Sequence, residues 1–250
     1  MPDKTETLLF GLRWLHIAAG ITWIGLLYFF NLVNGPFAKT MDADTKKKVV
    51  PELMPRALWW FRWGAMATFL AGLLLFTYKY MFTAGAGFGP NPLFRGSQGH
   101  GVGDRAIWIM LGMLFGSIMW FNVWFVIWPA QKKLIGWLKA GVKDPAAEGL
   151  TRRAFLASRT NTYLSGPMLV CMIAPNNAPT FSWGIFMVTA AVAIGGAARG
   201  RARRVEAPSP EVVAPVAPLP EVVPPVVAPV ATPAAPFVMT QCAAPEGGGE

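Results

Sequence analysis

The sequence predicts an all-α fold, a polytopic transmembrane helical bundle of about five spans, followed by a disordered Pro/Ala/Val-rich C-terminal tail. Three observations lead there. Residues 8–34, LLFGLRWLHIAAGITWIGLLYFFNLVN, carry Arg13 and His16 as their only ionisable side chains. That run is long enough to cross a hydrocarbon core of roughly 30 Å at about 1.5 Å per residue. The chain is 54% hydrophobic with a mean hydropathy of +0.41. Charged residues make up only 14% of it, against about 25% in soluble domains. The expected domains are therefore residues 1–204, the transmembrane bundle, and residues 205–250, the tail.

The first span is apolar nearly all round, which excludes a soluble amphipathic helix. It is too long for the apolar part of a cleavable signal, and no small-x-small site ends it. Arg13, His16, Gly20, Trp23 and Asn31 fall at spacings of three and four, largely along one face. A polar, small-residue stripe on a membrane helix faces protein rather than lipid. Asn34-Gly35-Pro36 is the expected stop, and residues 40–50 read as a short surface helix.

The second span runs over residues 59–82. Gly64, Thr68 and Gly72 form a small-xxx-small ladder that admits a neighbouring helix closely. Its entrance, PRALWWFRWG, crowds Arg56, Trp59, Trp60, Arg62 and Trp63 together. Two readings stay open there: an aromatic belt with snorkelling arginines, or an aromatic-walled mouth for an anionic or planar ligand. The glycine-rich loop that follows holds His100 and has no GK[ST], so it is not a phosphate loop. The third span is 107–128, with a GxxxG at Gly112 and Gly116, Asn122 inside it and Pro129 as its stop. A short apolar run at 163–174 spans only if residues 154–162 extend its helix. Residues 175–179 read as a turn, and 181–198 as the last span.

The net charge of +9 does not mark a nucleic-acid binder, because the basic residues cluster beside apolar spans. They orient the chain and touch anionic lipid of the bilayer. With five spans, the loop after span one, the loop after span three and Arg199–Arg204 all lie on the cytoplasmic side of a bacterial inner membrane. The N-terminus is then periplasmic and the tail cytoplasmic. The tail, with PEVV at Pro210 and again at Pro220, is polyproline-type low complexity. Cys171 and Cys242 cannot build a cysteine metal cage, and Cys171 reads as an inert small hydrophobe.

Four blocks in order, GLRWLHIAAGITWIGLLYFFNLVN, PRALWWFRWGAM, NVWFVIWPAQKKLIG and RRAFLASRTNTYLSGPML, resemble the membrane domain of the bacterial PuuD-type urate hydroxylases, called the urate oxidase N-terminal domain. The likeness covers about residues 8–198. It implies an oxidoreductase of purine degradation that hydroxylates urate and passes electrons to a cytochrome c domain. Here Cys242 is followed by AAPEGGGE without a CxxCH, so no c-type haem is expected and a separate cytochrome c or a larger membrane complex becomes the expected partner. The resemblance implies His16 as proton acceptor or cofactor ligand. It implies Arg62 and Arg159 as binders of an anionic purine, Trp23 and Trp59 as stacking rings, and Asn122 and Asn161 as readers of its amide edges.

From the residues alone, His16 stays open between structural hydrogen-bonder, axial ligand of a b-type haem and acid/base. A His16–His100 pair is the only two-histidine arrangement on offer. No carboxylate lies inside a span, which excludes a carboxylate metal centre, so no metal site is expected. The cofactor is otherwise open. The alternative to the urate-type oxidoreductase is a non-catalytic integral subunit of a larger redox complex. A carrier is disfavoured by the lack of inverted repeats.

Overall fold

In the computed structural model, residues 4–95, 102–177 and 180–205 are described. The tail and His100 lie outside the described residues. Five helices follow one another: α1 (Lys4–Thr40), α2 (Ala43–Tyr80), α3 (Asp104–Ala140), α4 (Ala146–Asn177) and α5 (Trp183–Val205). Two-residue strands β1 (Phe82–Thr83) and β2 (Gly87–Phe88) pair in the loop after α2, a detail the all-α reading did not contain. Gly85 and Gly87 carry the positive φ values of 85° and 83° that its tight reversal needs.

Three helices, α1, α2 and α3, are long and apolar enough to cross a membrane. Helix α4 is unbroken over the short apolar run and its expected extension, so Pro175 sits inside the helix rather than in a turn. Helix α4 is not among the three. The apolar part of α5 is Trp183–Val192, about 15 Å long and short of a span. Phe10, Trp14, Ile17 and Ile21 are all more than half exposed, which suits a lipid-facing side of α1.

The stops expected at Pro36 and Pro129 are not stops. Each lies two residues beyond a π-helical turn, Phe29–Asn34 and Asn122–Ile127, and the helix continues past it. The Gly35 N–H reaches back to Phe30 O, and the Trp128 N–H to Val123 O. The widened turn makes room for a proline ring that would collide with the carbonyl one turn earlier in an ordinary helix. The surface helix expected near residue 45 is likewise the start of α2, which runs through Pro51 and Pro55. Gly141, at φ 67°, ends α3: its N–H meets Leu138 O, and the Val142 N–H meets Trp137 O.

Helix α1 packs along α2, and α3 along α4 with α5 on its outer side. The ladder on α2 does the first job. A methyl on Gly64 would lie 3.4 Å from Ala19 O and from the Trp23 nitrogen. On α3, Gly112 lies under Cys171 and Met172, whereas Gly116 touches nothing closely, so one half of the GxxxG is a contact. Buried Cys171 is the apolar filler expected of it. The two pairs meet at a core of Trp23, Leu27, Phe61, Met119 and Val123. Lipid tails are as apolar as these side chains, so close fit and polar pairing hold the bundle rather than water exclusion. One such pairing centres on the fully buried Asn161: Asn122 Nδ2 donates to Asn161 Oδ1 at 2.8 Å, and Asn161 Nδ2 donates to Met119 O at 3.0 Å.

Replacing Asn161 with alanine removes both hydrogen bonds, leaves the Asn122 amide without its acceptor, and should cost about 1–3 kcal/mol. The Asn122→Ala, Asn161→Ala double variant should lose less than the sum of the two, as read from thermal unfolding in detergent. At the head of α2, Asp42 accepts the Asp44 and Thr45 N–H groups at 3.0 and 2.9 Å. The side chain and the N–H of Thr45, with the Asp44 N–H, hold the Asp42 carboxyl below its ordinary value. A depressed carboxyl stabilises the fold above its unfolded pKa, and that contribution fades as the folded pKa is crossed going down. Amide protection in the first turn of α2, corrected for the intrinsic pH dependence of exchange, should therefore fall below about pH 4. Asp42→Asn should remove that pH dependence, and Asp42→Ala should give low protection at every pH.

Candidate functional site: a cleft between α1, α2, α3 and α4

The stripe on α1 faces protein, and what it faces is a cleft of about 670 Å³. That is the size range of pockets for small organic ligands and cofactors. Arg13, His16, Gly20 and Trp23 of α1 form one wall, with Thr68, Gly72, Phe76, Lys79 and Tyr80 of α2 beside them. Met113 of α3 and Met168 and Met172 of α4 bring three thioether side chains to the same space. Arg13 and Lys79 stand toward one end, with no carboxylate within ion-pair distance among the described residues. The ion pairs found there, Lys47–Asp44 and Arg56–Glu52, are exposed and distant in sequence from this end.

His16 is held in one orientation. Its Nδ1 donates to Thr68 O at 2.8 Å, which leaves Nε2 as the lone-pair nitrogen. The ring lies so close to α2 that a methyl on Gly72 would sit 2.8 Å from Cε1 and 3.0 Å from Nδ1. Glycine at 72 is thus a condition for the histidine's placement. Thr68 Oγ1 bonds back to Gly64 O at 2.8 Å, so the hydroxyl stays out of the imidazole's way. Trp23 is 2% exposed, and its indole N–H is buried without an acceptor among the described residues. An orphaned donor beside a cavity is a standing offer to a ligand oxygen. Lys79 is positioned from the loop: buried Asn91 donates to Lys79 O at 2.7 Å and accepts from the Leu93 and Phe94 N–H groups.

Of the residues the resemblance gave a role at the site, His16 and Trp23 line this cleft, beside Arg13, Gly20, Thr68 and Gly72 of the stripe and the ladder. Arg62 lies in the other half of α2, seventeen residues before Lys79 or roughly 25 Å along the helix. Its guanidinium carbon rests 4.0 Å from the Trp128 ring centre and 5.2 Å from that of Trp124. Trp59 is 48% exposed and stands edge-on to Trp60. Asn122 and Asn161 bond each other, and Arg159 donates to the Tyr163 hydroxyl at 3.2 Å. His100 lies outside the described residues. Sequence reasoning passed over Lys79, Tyr80 and the methionines. A lysine in the last turn of an apolar helix and Met168-x3-Met172 were the available signals.

Residues 97–207 match the Urate oxidase N-terminal family. This bears out the resemblance over α3, α4 and α5. Helices α1 and α2, which carry His16, Gly72 and Lys79, precede the matched stretch. No curated protein and no solved structure matches the chain.

Gly72→Ala should push the His16 ring off the Thr68 carbonyl. The His16 Nδ1–H resonance in the nitrogen-15 NMR spectrum should move toward that of a solvent-exchanging imidazole. An unmoved resonance would show that the ring does not depend on the glycine.

Proposed function

We propose that this protein is an integral inner-membrane oxidoreductase of the urate hydroxylase type, whose redox centre sits in the His16 cleft. The observation that carries the reading is the donor set of that cleft. A histidine held by a backbone carbonyl with its other nitrogen spare is the arrangement metal-binding imidazoles adopt. Methionine sulfur and histidine nitrogen are both haem-iron ligands, and their pairing favours electron transfer.

These donors suit a b-type haem. His16 and one of Met113, Met168 and Met172 would hold its iron. Arg13 and Lys79 would neutralise the two propionates, and the apolar remainder of the walls would cover the ring. Bound there, a haem supplies one-electron transfer. The chain's own residues orient the ligand through Thr68 and keep water from the interior through Trp23, Leu27 and Phe61. The overall step balances with water as the oxygen source. Urate gains a hydroxyl, and two protons and two electrons are released, the electrons leaving one at a time to a cytochrome-type carrier. The distribution of Lys and Arg supports placing the Arg13 end toward the periplasm and the Arg62 end toward the cytoplasm.

The difference spectrum, dithionite-reduced minus oxidised, of the detergent-purified protein tests the reading. A Soret and α band should appear in the native chain and vanish in His16→Ala. Arg13→Gln and Lys79→Gln should each retain less haem through purification. A flat spectrum from well-folded native protein would overturn the proposal and leave a non-catalytic subunit of a larger redox complex as the better account.

A further inference from the structure

Arg62 carries its charge six residues further along α2 than Arg56, roughly 9 Å of helix rise. Arg56 is exposed and paired with Glu52 at 3.3 Å, whereas Arg62 has no carboxylate within ion-pair distance among the described residues. Its guanidinium also makes no hydrogen bond to them, and its Nε is buried without an acceptor. What it does have is aromatic cover. The guanidinium carbon stands 4.0, 5.2 and 5.6 Å from the ring centres of Trp128, Trp124 and Trp63. Trp63 and Trp124 meet edge to face at 5.6 Å, so rings of α2 and α3 form one wall around the charge.

Cation–π contact uses the face of a guanidinium and leaves its N–H donors, which lie in the plane, unspent. Covering Nε strips water from the charge, so an anion at the outer Nη1 and Nη2 is held more firmly than on an open surface. A planar fork of donors matches two oxygens of one phosphate. The surroundings point to the source of that phosphate. Trp59 and Trp63, 6.4 Å apart, are 48% and 44% exposed, an apolar flank that meets acyl chains in a bilayer. Side chains of a helix tilt toward its N-terminus, so Arg62 reaches toward the polar head of α2, where Glu52 and Arg56 lie. Lys132 of α3 follows Trp128 by one turn, is exposed, and has no carboxylate within ion-pair distance among the described residues.

We propose that Arg62, walled by tryptophans of α2 and α3, binds the phosphate of an anionic phospholipid. The single phosphodiester charge sits against the guanidinium fork, the acyl chains lie along Trp59 and Trp63, and Lys132 stands on the headgroup side. Two cations without a carboxylate select against a zwitterionic headgroup, whose own ammonium they would repel. The lipid becomes a third member of the contact between α2 and α3, and its binding stabilises the folded bundle by mass action. The site is separate from the His16 cleft and does not depend on the redox reading.

Native mass spectrometry of the full chain in detergent, titrated with phosphatidylglycerol or with phosphatidylethanolamine of the same acyl chains, tests the site. One phosphatidylglycerol per chain should be retained at concentrations where phosphatidylethanolamine is lost, a comparison that needs no variant. Arg62→Gln should weaken retention about tenfold or more, the size of one charge-assisted hydrogen bond. Arg62→Lys keeps the charge without the fork and should weaken it too, whereas a cation that merely snorkels would tolerate that change. Arg152→Gln removes one charge from the exposed start of α4 and should bind as the native chain does. Phosphatidylglycerol should raise the thermal unfolding midpoint of the native and Arg152→Gln chains but not of Arg62→Gln, which reads the same site in folded protein. Equal retention of the two lipids, or native retention by Arg62→Gln or Arg62→Lys, would overturn the site. So would displacement of the lipid by an equal concentration of glycerol phosphate or of urate, which would make the guanidinium a seat for a small soluble anion.

Discussion

The contact on which this structure depends most is the one between the His16 imidazole and the backbone of α2. The ring reaches the Thr68 carbonyl only because residue 72 has no side chain. The same absence of bulk at Gly64 lets α1 lie against α2 along its length. One requirement therefore serves two ends. Close approach of the helices gives the packing that a bilayer, lacking a hydrophobic driving force between helices, demands. It also fixes the histidine ring, with Nδ1 bonded to the Thr68 carbonyl. Arg13, three residues earlier, and Trp23, seven later, then fall on the same cleft by helical periodicity alone.

The two π turns are the second constraint. Each precedes a proline by two residues, and each lets a long helix carry that proline without breaking. They also place an asparagine in each π turn. Asn122 meets the fully buried Asn161 and joins α3 to α4. Asn31 meets Ser158 and joins α1 to α4. The same residue type in the same kind of turn thus ties two different helices to α4.

This explains what the sequence made legible. Five helical segments and the inward stripe of α1 could be read because apolar length and three-and-four spacing are local properties. The ladder of Gly64, Thr68 and Gly72 could be read for the same reason. Helix ends were misread at Pro36, Pro129 and Pro175, since a π turn or a packed neighbour can relieve a proline and neither shows in local composition. At the site, His16 and Trp23 stood out as rare residues in an apolar run. Arg62, Arg159, Trp59, Asn122 and Asn161 were equally conspicuous, but tertiary packing gives each a partner away from the His16 cleft. Lys79 and the three methionines were invisible because their meaning arises only when four helices bring them to one cavity.

The central claim is that oxidation of a small planar anion is coupled to a one-electron centre beside His16. The most direct measurement is anaerobic addition of urate to the oxidised, purified protein while the visible spectrum is followed. The account predicts that the reduced α band grows in, with two centres reduced per urate consumed. A centre that dithionite reduces readily, but that stays oxidised with urate in excess and bound, would contradict it.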